Sequence, residues 1–164
     1  TERNRYKQRQ TRLLSHRKKR ILTDINHPYM DFLYSTTSNL ILKAFYSFKN
    51  SLPLNLEISF FKNALVVEME ELGLRVETDK YFDVLHKQQP IGRLKADCIV
   101  NNEIAINLVS TPVEVIGKDI DEMKSFLRLT TFEVGLILNF GPDGQHKRVL
   151  LTNDFKSRSV DKNI

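Results

Sequence analysis

Asp97 is an acid in the middle of a strand pattern, and an ionisable group placed there needs a partner. It lies in the stretch Gly92 to Val109, GRLKADCIVNNEIAINLV, which reads as two short strands joined around Asn101-Asn102. In the first strand Leu94, Ala96, Cys98 and Val100 share one face, with Lys95, Asp97 and Ile99 on the other. In the second, Ile104, Ile106 and Leu108 share a face, and Ala105, Asn107 and Val109 share the opposite one. A hairpin of this kind lets Asp97 meet Asn107. Paired oxygen donors are the ligands that hard divalent cations take, so the pair poses the question of a metal site or the remains of one. The plainer reading is a strand acid satisfied by Asn107 or by backbone amides. Cys98 reads as a small buried strand residue, because no Cys or His stands at ligand spacing from it. His16, His27, His86 and His146 are scattered and read as surface or turn residues.

The elements that must position these residues follow from periodicity and breakers. Tyr29 to Lys49 has a helical apolar spacing, with an interruption expected around Ser35 to Ser38. Ser51-Leu52-Pro53 breaks it, and Leu56 to Leu72 is a second helix stopped by Gly73, with both Phe60 and Phe61 in its apolar set. Leu74 to Val84 reads as a strand, followed by a turn around Lys87 to Pro90 and then by the central hairpin. Lys118 to Thr131 is a third helix with Asp119 and Asp121 in its first turn. Val134 to Phe140 is a continuous apolar run bounded by Gly141-Pro142-Asp143-Gly144, the pattern of a fully buried strand. Lys147 to Thr152 is a last strand, and the residues from Asp154 onward read as a polar tail. The order helix, helix, three strands, helix, strand, strand predicts an α/β domain whose mixed sheet is flanked by helices and contains one right-handed crossover.

Composition bounds the rest. At 164 residues and 41% hydrophobic, the chain holds one domain of ordinary size plus tails. No run approaches the ~18 apolar residues of a membrane helix, and a single cysteine fits a reducing compartment. The formal charge of +5 is unevenly placed. Residues 1–20 carry nine Lys or Arg (Arg3, Arg5, Lys7, Arg9, Arg12, Arg17, Lys18, Lys19, Arg20) against Glu2, a net +8, while the other 144 carry 16 basic and 19 acidic residues, a net −3. The expected organisation is a basic arm over 1–22, a folded domain over 23–152 and a tail over 153–164. An arm so poor in apolar residues is expected to track a polyanion, RNA more readily than DNA, because lysines and arginines that neutralise phosphates release condensed counterions. A solvated tail, the remains of a targeting segment, or an arm that meets an acidic protein are the other readings.

Taken together, these residues resemble the GxxExxY proteins, a branch of the PD-(D/E)XK nuclease superfamily, from about Leu40 to Leu151. The segment LPLNLEISFFKNALVVEMEELGLRVE is similar to the helix carrying the name motif, with Glu57 at the Glu position. GRLKADCIV is similar to the strand carrying the catalytic Asp, here Asp97, and NEIAINLVS sits where the family has a Glu-x-Lys strand. SFLRLTTFEVGLILNFG is similar to its helix-to-strand ending. The departures are Leu54 for the motif's Gly, Phe60 for its Tyr, Asn107 and Val109 for the Glu-x-Lys pair, and Glu122 for a Gln on the later helix.

The resemblance implies a nuclease-like core whose catalysis would need Mg²⁺ or Mn²⁺ held by carboxylates, with a lysine beside it to stabilise charge on the phosphate. Asn107 removes one negative charge and Val109 removes the cation. The first expectation is therefore a catalytically inactive nuclease-like domain with no cofactor and no metal ligands. It would bind nucleic acid through the basic arm as a structural component of a larger assembly, such as an organellar ribosome, in the mitochondrial matrix or the cytoplasm and away from membranes. The alternative is a metal-dependent nuclease with a rearranged site, in which Glu57, Asp97 and Glu122 gather as ligands and Lys95 or Lys124 supplies the cation.

Overall fold

The computed structural model describes residues 33–112, 114, 115 and 117–160. The chain divides after Leu33, and all the elements below belong to the second unit. The basic arm, the first part of the expected first helix and residues 161–164 lie outside the described residues.

Helix α1 (Ser35–Phe48) packs beside helix α2 (Ile58–Glu71), and α2 lies against the sheet at strands β1 (Val76–His86) and β3 (Ile104–Val109). Between these strands comes β2 (Gln89–Val100), and after β3 come helix α3 (Gly117–Leu129), β4 (Val134–Asn139), β5 (His146–Leu150) and helix α4 (Asn153–Val160). The strands form one sheet in the order β1-β2-β3-β4-β5. Only β3 and β4 are parallel, as they must be when a helix carries the chain between them; the other pairs are antiparallel. The expected mixed sheet with flanking helices is what the sequence folds into.

Strand alternation explains why both faces of this sheet are covered. Ile99, Ala105, Ile137 and Val149 pack with Met123, Phe126 and Leu127 of α3, while Val100, Ile104, Ile106, Leu136 and Leu138, of opposite parity, are buried as well. Burying each of the three α3 side chains contributes roughly 1.5–3 kcal/mol, enough to fix which side of α3 faces the sheet. Against α1 and α2 the focus is Phe140, whose ring lies 5.0 Å from Phe45, 5.7 Å from Phe48 and 4.8 Å from Phe61. All six residues of β4 are buried, as a continuous apolar run requires.

Several local expectations are corrected. The break expected around Ser35 to Ser38 falls just before that stretch: Leu33 and Tyr34 form a turn, with Tyr34 at φ 53°, and helix α1 begins at Ser35. On α2 the buried residues are Phe61, Leu65 and Met69, spaced four apart, whereas Phe60 and Val67 are exposed. The turn after β1 is only Lys87 and Gln88, both at positive φ, and Pro90 belongs to β2. That two-residue turn carries neither Asn-Gly nor Asp-Gly, the signal by which such hairpins are recognised. Ile99 is buried although it shares a strand face with Lys95, because α3 covers that end of β2. The segment after Thr152 is helical: Asn153 begins α4 with its backbone N–H on Glu133 Oε1 at 2.6 Å and its side-chain amide on Thr131 O at 3.2 Å.

Candidate site at the β2–β3 divergence

Strand β2 has twelve residues and β3 six, and their ladder contains only Cys98–Ile106, Ile99–Ala105 and Val100–Ile104. Beyond Cys98 the strands part. Asp97 marks the point of divergence: its Oδ2 accepts the Leu108 backbone N–H at 2.8 Å, a donor the ended ladder no longer serves. The strand acid is therefore satisfied by a backbone amide and not by Asn107. The hairpin end nearby is held by the Asn101-Asn102 turn, with φ 51° and 56°, and by Thr37 Oγ1 donating to Glu103 Oε2 at 2.6 Å.

The gap opened by this divergence is roofed by α3. It forms a cleft of about 710 Å³ lined by Arg93, Lys95, Asn107, Lys118, Glu122 and Phe126, among others. A smaller cavity of about 200 Å³ adjoins it, lined by Lys95, Asp97, Asn107, Val109, Asp119 and Glu122, among others. Gly135 brings α3 close to the sheet, since a Cβ there would lie 2.2 Å from Met123 Sδ. At the same end Asn139 Oδ1 accepts from Thr111 N at 3.0 Å and Gly141 N at 2.8 Å, and its Nδ2 donates to Thr111 O at 3.1 Å, tying the ends of β3 and β4 together.

Of the residues named from sequence, the fold brings together Asp97, Asn107, Val109, Glu122 and Lys95. It does not bring Glu57, which is exposed at the N-terminal end of α2 with no side-chain cap bond and lines neither cavity. Lys124 points elsewhere and lies 3.8 Å from Asp121. Glu122 faces Lys118 Nζ at 3.8 Å.

Sequence reasoning missed Asp79 and Lys62. Thr78 pairs with Cys98 and Lys80 with Ala96, so Asp79 stands opposite Asp97 across the β1–β2 pair, its backbone at φ 51°. Lys62 Nζ of α2 donates to Asp79 Oδ2, and Lys95 Nζ lies 2.6 Å from Asp79 Oδ1 and 3.6 Å from Asp97 Oδ1. The hydrogen bond from Lys62, then that from Lys95, hold the Asp79 carboxyl below the usual carboxylate range, and Asp79 in turn raises Lys95. The only advance signal was a loose one: an Asp in a strand pattern, where Asp is disfavoured. Cys98 is buried beside this group, and its thiol is pushed up to about 12, chiefly by burial. A thiol so protonated is a packing residue, as expected.

His146 is more engaged than a surface residue. It opens β5 with Nδ1 2.7 Å from the Tyr46 hydroxyl, half-buried.

A family model described as the PD-(D/E)XK nuclease superfamily matches residues 35–149. The chain belongs to that superfamily. The match covers β1 to β4, α1 to α3 and all but the last residue of β5, so the β2–β3 divergence lies inside the shared domain. Among solved structures, one described as the crystal structure of SSO0001 is 14% identical with a TM-score of 0.42, covering 82% of this chain and 69% of that one. No curated protein matches the chain.

The superfamily's divalent cation can be tested against the residues present. Among the described residues no three His, Cys, Asp or Glu side chains are grouped so as to hold a metal ion. Asp97 has a neutral amide and a valine as its companions on β3, and the ammonium of Lys95 beside it. Asp119 and Glu122 line the same small cavity but are not grouped with Asp97 as ligands, so the set as it stands does not fit a divalent cation, which takes several oxygen ligands, usually including more than one carboxylate.

Proposed function

We propose that this chain is a nuclease-like domain of the GxxExxY type that has lost catalysis and serves as a nucleic-acid-binding, structural component of a larger assembly. The observation that carries the reading is the composition of the β2–β3 divergence. Asp97 is present at the point where the strands part, but the β3 residues lining the same cavity are Asn107, Leu108 and Val109, none of them charged. Hydrolysis of a phosphodiester by this superfamily's chemistry needs a second carboxylate to hold the cation and a positive group beside the phosphate. An amide and a hydrocarbon supply neither.

Glu57 does not repair the loss, since it is exposed at the N-cap of α2 and lines neither cavity. If the name motif is instead aligned on the buried ring of α2, Phe61, then Ile58 takes the Glu position and the helix offers no carboxylate there.

The arm over residues 1–22 lies outside the described residues, and its role is proposed from its charge. Nine cations against one acid favour RNA over a protein partner, and an RNA-rich assembly such as an organellar ribosome suits an acidic body with a basic extension. The lone cysteine fits a reducing compartment, the mitochondrial matrix or the cytoplasm. No helix among the described residues is long and apolar enough to cross a membrane.

The test is a cleavage assay of the purified chain on RNA and DNA with Mg²⁺ and with Mn²⁺, beside a binding titration. No cleavage, with binding that weakens steeply in salt and is largely abolished when residues 1–20 are deleted, is the expected result. Equal binding by the truncated chain would remove the arm from the account.

A second reading has one observation in its favour: Asp97, Asp119, Glu122 and Lys95 line the same small cavity. A rearranged, metal-dependent nuclease built on them would cleave with Mn²⁺ and be abolished by Asp97→Ala. That outcome would overturn the inactive reading.

A further inference from the structure

We infer that Lys95, supported by Lys62, stands as an internal counter-ion where this fold would otherwise hold a divalent cation, and that it closes the site to metal; the inference rests on the reading of the site as inactive. Asp79 falls between the ladder pairs Thr78–Cys98 and Lys80–Ala96, level with Asp97 on the adjacent strand, and both carboxylates lie within reach of Lys95 Nζ. Two carboxylates so placed repel, and like charges directly opposite on a sheet are destabilising. A metal is one remedy. This chain uses another: Lys95 lies on the same strand face as Asp97, two residues before it, and its Nζ reaches both acids, at 2.6 Å to Asp79 and 3.6 Å to Asp97. Lys62 enters from α2 and takes the other oxygen of Asp79. Its side chain is only 16% exposed, so it reaches this carboxylate from within the packing of α2 on the sheet.

The four groups are electrically balanced: two ammonium ions and two carboxylates. The remaining Asp97 oxygen is occupied by the Leu108 amide. A divalent ion entering here would meet two cations and would have to displace Lys95 from Asp79. The backbone is shaped to this arrangement, because Asp79 is in the left-handed region at φ 51° within a strand. A residue other than glycine in that conformation is held by its surroundings, and such residues concentrate at functional positions. Here the geometry turns the Asp79 carboxylate to both lysines.

The test uses the full chain and Mn²⁺ alone as probe, read by electron paramagnetic resonance titration and by the shift in melting temperature. Wild type is expected to take up no Mn²⁺ at the site and to melt at the same temperature with Mn²⁺ or with a chelator. Lys95→Met keeps the stem and removes the charge. It should bind Mn²⁺ about tenfold more tightly or better, the scale of removing one adjacent unit charge, and should regain melting temperature on adding the metal. Adding Asp79→Asn should abolish the gain, and Lys95→Arg should behave as wild type.

If Lys95→Met does not gain affinity, or if wild type binds Mn²⁺ and releases it on Asp97→Asn, the inference is overturned. Should Lys95→Met fail to fold, Lys95→Gln carries the same titration and the same expectation. Cleavage by wild type is a separate readout: it would overturn the inactive reading, whereas an unresponsive Lys95→Met would overturn only the role of the lysine.

Discussion

At the scale of single residues, two of the buried polar side chains, Thr37 and Asn139, are paired, while the Ser38 hydroxyl is buried without a hydrogen-bond partner among the described residues. Asn139, 1% exposed, serves three backbone groups with one side chain. Asn139→Ala leaves Thr111 N, Thr111 O and Gly141 N without those partners, and a loss of roughly 2–4 kcal/mol is expected. Urea denaturation would show it as a lower midpoint at unchanged slope.

His146 gives a pH prediction. Burial, with a smaller contribution from the Lys147 charge, lowers its pKa, so the native state binds a proton less readily than the unfolded chain. Its contribution to stability is complete above the unfolded value of about 6.5 and is lost as pH falls from there through the native value. Urea midpoints measured from pH 8 downward should decline across that window, and His146→Gln should flatten the decline. Asp79 acts lower on the scale: its depressed carboxyl contributes stability above the ordinary carboxylate range, lost as pH falls through its native value.

At the scale of elements, the site is made by a mismatch of strand lengths and by one helix. β2 outruns β3, so their ladder stops at Cys98–Ile106 and leaves a gap that α3 roofs. The height of that roof depends on Gly135, where a Cβ would lie 2.2 Å from Met123 Sδ and 2.7 Å from its Cγ. Met123 is fully buried, so making room for a Cβ means shifting it within the core. Gly135→Ala should cost about 1–3 kcal/mol by overpacking and lift the helix that carries Asp119 and Glu122. Met123→Ala in the same chain should recover part of that cost, which a double-mutant cycle on urea midpoints would measure.

Element by element, β4 and the central hairpin were legible because a continuous apolar run and an alternating one each admit few placements. The exposed ring of Phe60 was not, because Phe60 and Phe61 are adjacent in a helix and only packing against Phe140 selects between them. Helix α4 was hidden for a related reason. Its residues are mostly polar, and it is held by Lys156 Nζ donating to Thr130 O and Phe132 O and by Asn153 on Glu133, pairings that no periodicity records.

At the scale of the whole molecule, charge is divided along the chain, with +8 in residues 1–20 and −3 in the rest. If nucleic acid is held through the arm, replacing its arginines with glutamine one at a time should reduce the slope of log K against log salt by about 0.7 for each single-strand phosphate that is no longer neutralised. Substitutions at Arg93 or Lys118 in the cleft should leave that slope nearly unchanged, and fluorescence anisotropy over a salt series would separate the two. By itself the sequence determined the mixed sheet with flanking helices, the superfamily, Asp97 as an acid within strand β2, and the absence of charge at Asn107 and Val109. Those follow from residue type and order, which fix burial pattern and formal charge before the chain folds. Only the tertiary structure decided that Asp97 rests on the Leu108 amide, that Glu57 stands apart, and that Asp79 and Lys62 join Lys95 beside Asp97. Cross-strand register, a positive φ at Asp79 and the approach of α2 set those meetings, and they depend on how elements distant in sequence pack together.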